Sequence, residues 1–207
     1  GEGMMDKNVL ENYERYCNRI KLFKSFGYDI DKERDFVIEK AQPIEGRILE
    51  LGTGKGNFAV ALAQKGYQIT TVDISEEEQK FAKMNIQYFG LLEKVNFVIA
   101  DAEHLHFPDD SYDISFGINL MHHLSQPLKV LDEFLRVTST RGKIIISDFS
   151  KEGFSIIKKI HESEGGDHNS GNCTLNEIAE YILSKGFQID KFNSKCQELI
   201  IIRRRGN

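Results

Sequence analysis

The segment Glu50-Leu51-Gly52-Thr53-Gly54-Lys55-Gly56 puts an acid and three glycines within seven residues. Glycines so spaced let a backbone turn sharply and let a ligand approach the main chain with no Cβ in the way. If a helix follows, its first N–H groups and positive dipole end face ligand oxygens. Two further acids each follow an apolar run: Asp73 in Thr71-Val72-Asp73, and Asp101 in Ile99-Ala100-Asp101-Ala102. A carboxylate at a strand tip accepts hydrogen bonds from ribose hydroxyls, and a neighbouring one accepts from the exocyclic amine of adenine. Each feature alone has a plain structural use, the glycines in a tight strand-to-helix turn, the aspartates as helix caps or loop anchors. At three successive strand ends they describe a nucleoside site.

Other reactive side chains are more ambiguous. His122 and His123 are adjacent, and imidazole titrates near neutrality, so either could act as a general base or orient an acceptor. The simpler role, favoured on the residues alone, is to start the helix after the fourth strand and pack there. Asp148 ends another apolar run and could touch an acceptor or anchor the following loop. His104 and His106 alternate with Leu105 and Phe107, with no further ligands at metal-binding spacing, so no metal site is expected. The three cysteines, Cys17, Cys173 and Cys196, are scattered, which argues against a disulfide scaffold and for a reducing cytoplasm. A net charge of −5 repels polyanions, so nucleic acid is not an expected partner, and no apolar run is long enough to span a membrane.

The elements that must position these residues follow from periodicity. The first forty residues are helical in pattern, with Leu10, Tyr13, Cys17, Ile20 and Phe23 on one face and a second short helix around Phe36, Val37 and Ala41. Strands are predicted over 47–51, 67–72, 95–100, 112–116 and 143–149, and helices over 57–64 and 75–89, the latter with a Ser75/Glu78 capping box. Ser125 is predicted to cap a helix carrying Leu128, Leu131 and Leu135. Beyond Ser150 come a helix to about residue 161, a turn-rich stretch from Gly165 to Gly171, and a helix capped by Thr174 with Glu177. Strands at 187–192 and 197–203 are joined so briefly that they must be antiparallel. Strands alternating with helices predict a doubly wound α/β fold around a mostly parallel sheet.

The glycine spacing bears on the ligand. Dinucleotide loops favour G-x-G-x-x-G around a pyrophosphate, whereas here the third glycine comes one residue early and an acid precedes the first by two. S-adenosylmethionine has no phosphate and carries a sulfonium and an amino-acid end, near which an acid makes electrostatic sense. The motifs at 50–56, 71–73, 101–103 and 107–113, with Leu120-Met121-His122-His123-Leu124 and Arg141-Gly142-Lys143-Ile144, resemble those of class I S-adenosylmethionine-dependent methyltransferases. The nearest branch is the small-molecule group related to quinone-biosynthesis enzymes, and the resemblance covers roughly residues 44–149. His106 departs from it, standing where the family usually has proline.

The resemblance implies a Rossmann-like seven-stranded sheet whose last strand lies antiparallel beside the fifth and sixth. It implies that Gly52, Gly54 and Gly56 cradle the methionine portion of the cofactor with Glu50 nearby, and that Asp73 holds the ribose. Ile74, Asp101 and Ala102 would meet adenine, and Gly117 and Ile118 would lie near the methionine end. The expected organisation is one methyltransferase domain: an N-terminal helical lid over 1–43, a cofactor core over 44–149, and a C-terminal helix and hairpin over 150–207. Tyr13, Tyr16, Phe23 and Tyr28 are the aromatic candidates for the lid. The expected reaction is in-line methyl transfer to a small-molecule acceptor. The alternatives are a non-catalytic S-adenosylmethionine-binding protein and a nicotinamide-dependent oxidoreductase.

Overall fold

Apolar side chains recur every second residue or without a break in the short segments, and every three to four residues in the long ones, and the chain folds accordingly. A computed structural model describes residues 6–166 and 173–206. Helices α1 (Lys7–Ser25) and α2 (Ile30–Ala41) precede β1 (Ile48–Leu51), α3 (Asn57–Gln64), β2 (Ile69–Asp73), α4 (Glu76–Tyr88), β3 (Val95–Ile99) and β4 (Tyr112–Ile118). Then come α5 (Pro127–Val137), β5 (Thr138–Phe149), α6 (Lys151–Ser163), α7 (Leu175–Ser184), β6 (Phe187–Asn193) and β7 (Gln197–Arg204). The seven strands form one sheet in the order β3-β2-β1-β4-β5-β7-β6. Pairs from β3 to β5 are parallel, and β7 runs antiparallel between β5 and β6, as predicted.

Both faces of the sheet are covered, which explains the unbroken isoleucines of β5: Ile144 and Ile146 pack to one side and Ile145 to the other. One core joins the sheet to α2, α3 and α4 through Val37, Leu62 and Ile86. The other joins it to α5 and α7 through Leu131, Phe134 and Ile182. Burying each such large side chain is worth roughly 1.5–3 kcal/mol. No helix among the described residues is long and apolar enough to cross a membrane.

Local signals were mostly correctly placed. Ser75 accepts the N–H of Glu78 at the start of α4, and Thr174 with Glu177 forms a full capping box on α7. Three expectations need correction. The cap of α5 is Gln126, without a side-chain bond, and Pro127 supplies the fixed φ that starts the helix. The buried face of α5 is Val130, Leu131, Phe134 and Val137, while Leu128 is 45% exposed. Likewise α1 buries Val9 and Asn12 rather than Leu10, which is 47% exposed. Of the turn-rich stretch, residues 167–171 lie outside the described residues.

Candidate functional site at the strand tips

The carboxyl ends of β1, β2 and β3 lie side by side: Leu51 pairs with Val72, and Asp73 with Ile99. The chain leaves β1 through a bend whose three glycines all have positive φ, at 87°, 52° and 85° for Gly52, Gly54 and Gly56. Their surroundings differ. A Cβ at Gly52 would lie 3.0 Å from Leu120, and one at Gly56 would lie 3.0 Å from Ala82 and 3.1 Å from its backbone. At Gly54 a Cβ would meet nothing within 4 Å. Gly52 and Gly56 are therefore needed for packing, and Gly54 turns a bare backbone toward open space above the sheet.

Asp73 fixes this bend. One carboxylate oxygen accepts the Gly54 N–H at 2.9 Å and the other accepts the Ser75 N–H at 2.9 Å. Each oxygen retains a lone pair for a diol. Ile74 is 71% exposed and Ile99 50% exposed, both next to Asp73. Two large apolar side chains held in water at one strand-tip groove suit the faces of a planar base. Asp101 follows on the third tip, exposed, with one oxygen accepting the Glu103 N–H at 2.9 Å. Ala102 packs against the core on the α5 side.

Beneath the bend lies a buried polar chain. Glu50 accepts from the Thr71 hydroxyl at 2.6 Å, and the Thr71 and Thr53 hydroxyls are 2.7 Å apart. Gln79 of α4 donates to Thr53 at 3.2 Å, to the Thr71 carbonyl at 3.3 Å and to the Val98 carbonyl at 2.8 Å. One amide thus ties all three strand ends together. Burial pushes the Glu50 carboxyl up to about 8, partly offset by the Thr71 hydrogen bond and reinforced by the Asp73 charge. A neighbouring ligand cation would favour its ionised form. The open side of Gly54, the free lone pairs of Asp73 and this acid fit an adenosyl sulfonium.

The other half of the rim has a different character. Asn119, just past β4, is held at φ 54° with its N–H on the Ser147 carbonyl at 2.8 Å. Gln197 at the start of β7 donates to the Asn119 side chain at 2.9 Å and to the Tyr28 hydroxyl at 2.6 Å. Ser147 donates to the Gln197 oxygen at 2.6 Å, fixing which way the amide points. These groups border a cavity of about 210 Å³ with Phe23, Phe58 and Phe149 among its walls, roofed by α2 and the end of α1. Tyr28 stands edge-on to Phe23 and Phe149, at 5.6 and 5.9 Å, and burial raises its hydroxyl pKa above the usual phenolic value.

Ile118 lines this cavity, while a Cβ at Gly117 would lie 2.8 Å from the Phe134 ring, so that glycine serves core packing. The two histidine rings lie 3.9 Å apart but differ in burial. His122 is buried, its Nδ1 2.7 Å from the buried Asp148 carboxylate, and Asp148 also accepts the Phe149 N–H at 2.9 Å. His123 is exposed. Phe149, on which the His122 ring packs at 5.4 Å, is the residue that reaches the cavity. The pair therefore fastens the loop after β4 to the tip of β5. Of the lid aromatics, Phe23 and Tyr28 face the cavity, whereas Tyr13 stacks on Tyr88 of α4 with ring centroids 3.5 Å apart.

Sequence reasoning missed Gln79, Ile99, Asn119 and Gln197. Gln79 had a visible signal: it sits one turn into a helix whose cap was recognised, on the side facing the sheet. Gln197 had none, because its partners Tyr28 and Asn119 are 169 and 78 residues away in the chain.

Comparison with known proteins bears on this geometry. Residues 49–146 match a family model described as a methyltransferase domain. The ubiquinone/menaquinone biosynthesis C-methyltransferase UbiE of Rickettsia rickettsii (strain Sheila Smith) is 32% identical over 189 residues, covering 84% of this chain and 73% of that protein. A solved SAM-dependent methyltransferase from Aquifex aeolicus superposes with a TM-score of 0.64 at 21% identity, over 82% of this chain and 88% of its own. The [4+2]-cyclase SpnF superposes with a TM-score of 0.69 at 20% identity, over 84% and 80% respectively. At those identities the two structures speak for the fold alone.

Proposed function

On the premise that this chain belongs to the class I S-adenosylmethionine-dependent methyltransferases, in their quinone-biosynthesis-like branch, we propose that its rim is divided between cofactor and acceptor. The chain transfers the methyl group of S-adenosylmethionine to a small-molecule acceptor. In the proposed assignment Asp73 takes the ribose hydroxyls, Ile74 and Ile99 flank adenine, and Asp101 and Ala102 border it. Gly52, Gly54 and Gly56 form the cradle for the methionine portion, with Glu50 below and Ile118 and Asn119 at its far end. The acceptor enters the cavity between Tyr28, Phe149 and Asn119.

The relative named above methylates carbon in ubiquinone and menaquinone synthesis, as its name states. We carry over from it an aromatic ring as the acceptor class, because phenylalanine and tyrosine edges wall a slot of about 210 Å³. Bound at the bend, the cofactor supplies an activated methyl group. The protein aligns and encloses. Asn119 and Tyr28, held by one glutamine, present polar groups to the ring oxygens, and α1 with α2 excludes water. Alignment of this kind can contribute about 7–11 kcal/mol to a bimolecular reaction. His122 and Asp148 hold Phe149 and the loop in place. A reducing cytoplasm suits the free cysteines Cys17, Cys173 and Cys196.

The observation that carries the division is the bend at Gly54, whose left-handed backbone has no neighbour packed against the Cβ position and whose N–H is held by Asp73. The test is calorimetric binding of S-adenosylhomocysteine, followed by its production from S-adenosylmethionine with a reduced demethylated naphthoquinone. Binding without turnover on any ring acceptor would favour the non-catalytic alternative. Absence of binding would remove the proposed cradle.

A further inference from the structure

A second cavity, of about 520 Å³, lies on the helix side of the glycine bend between α1, α2 and α4. Its walls include Arg15, Arg19, Lys55, Tyr16, Asn12 and Asn85. No acid lines it. Two of its cations, Arg15 and Lys55, form no salt bridge among the described residues. Its boundary with the aromatic cavity is shared: Ile30 and Asn57 line both. At that boundary Arg34 gives one terminal nitrogen to the Asn57 carbonyl at 3.0 Å and to Tyr16 at 3.3 Å, while its buried Nε has no partner.

One anion already reaches the cavity rim. The Glu164 carboxylate, just past α6, takes both of its hydrogen bonds from Arg19, at 2.6 and 2.8 Å. Arg19, His161 and Lys55 all hold its pKa below the ordinary value. Three clustered cations with a single exposed carboxylate drawn onto them form a focused positive potential in a chain that is acidic overall. Arginines arranged in this way suit the paired oxygens of carboxylate or phosphate.

We propose that this cavity binds an anionic group, a carboxylate or phosphate, carried by the acceptor, and that Glu164 occupies part of the same site when the acceptor is absent. The proposal rests on the acceptor assignment above, since Ile30 and Asn57 form a wall common to the aromatic slot and the cationic cavity. Exchange is inexpensive, because Arg19–Glu164 is an exposed ion pair that water and salt screen.

The test is binding of inorganic pyrophosphate, and of succinate as the carboxylate probe, to the full chain with S-adenosylhomocysteine already saturating. Expected are saturable binding that weakens as salt rises, a loss of about tenfold or more in the Arg15→Ala/Lys55→Ala variant, and a gain of about threefold in Glu164→Gln. Both cations are exposed, and Arg15→Gln alone, which preserves helix propensity, should shift affinity in the same direction. Two results overturn the proposal. One is no probe binding by a protein that binds S-adenosylhomocysteine normally, which leaves the cofactor assignment standing. The other is abolition of probe binding by S-adenosylhomocysteine, which gives the cations to the cofactor's own carboxylate. Failure to bind S-adenosylhomocysteine at all would instead fault the underlying cofactor reading.

Discussion

The two halves of the sheet rim are built by different means. Over β1, β2 and β3 the site is made of main chain, small residues and one-residue strand extensions: a glycine bend, Asp73, and a single buried glutamine behind them. Over β4, β5 and β7 it is made of large side chains brought from separate parts of the chain, Tyr28, Phe149 and Gln197. In the proposed assignment the first half recognises a ligand through backbone geometry and tolerates little change, and the second recognises through the shape of aromatic walls and can be re-cut by substitution. A methyltransferase needs this asymmetry, because its cofactor is fixed while acceptors vary between relatives.

Substitutions should separate the halves. Asp73→Ala removes the acceptor for the Gly54 N–H as well as the proposed ribose contacts, and should weaken S-adenosylhomocysteine binding by roughly 30- to 100-fold in calorimetry. A change below threefold would dissolve the distinction. The glycines sharpen it. Gly56→Ala meets the α4 backbone and carries left-handed strain of about 1–2 kcal/mol, so its unfolding midpoint should fall. Gly54→Ala carries the same left-handed strain but no clash with α4, so it should lose cofactor affinity with a smaller change in midpoint. If both variants lose stability alike, Gly54 is a packing glycine and the cradle is misplaced. Tyr28→Phe removes one hydroxyl from the acceptor side. It should raise the acceptor KM by about three- to tenfold and leave S-adenosylhomocysteine affinity within about twofold.

The buried acid beneath the bend adds a pH dependence of stability. The Glu50 carboxyl is raised in the folded chain from 4.5 to about 8, so between these values the native state holds a proton that the unfolded chain has released. Its stabilising contribution is complete below pH 4.5 and is lost as pH rises toward 8. Denaturant unfolding of the protein without cofactor should show that decline, and Glu50→Gln should flatten it. A slope unchanged by the substitution would mean that Glu50 does not titrate there.

The same asymmetry explains what the sequence revealed. Gly52, Gly54, Gly56, Asp73 and Asp101 were legible because strand ends are marked by period and by the residues that stop them. The antiparallel β6–β7 pair was legible from its short connection. The aromatic cavity was not, because no spacing rule connects Tyr28 to Gln197, and packing alone decides which of several tyrosines turns inward. Tyr13 and Tyr28 look equivalent in sequence, yet one stacks on α4 and the other stands over the cavity. The partly misread face of α5 has a related cause: of Leu128, Leu131 and Leu135 only Leu131 is fully buried, and Val130, Phe134 and Val137 complete the buried face.

The position of β7 has a consequence for biosynthesis. Gln197 belongs to the strand that slots between β5 and β6, so the acceptor wall acquires its central amide only after residues 197–204 have joined the sheet. The glycine bend, Asp73 and Gln79 all emerge from the ribosome more than a hundred residues earlier. Because chains are made from the N-terminus and long-range pairings form late, the nascent protein can shape the proposed nucleoside groove well before it completes the proposed acceptor wall.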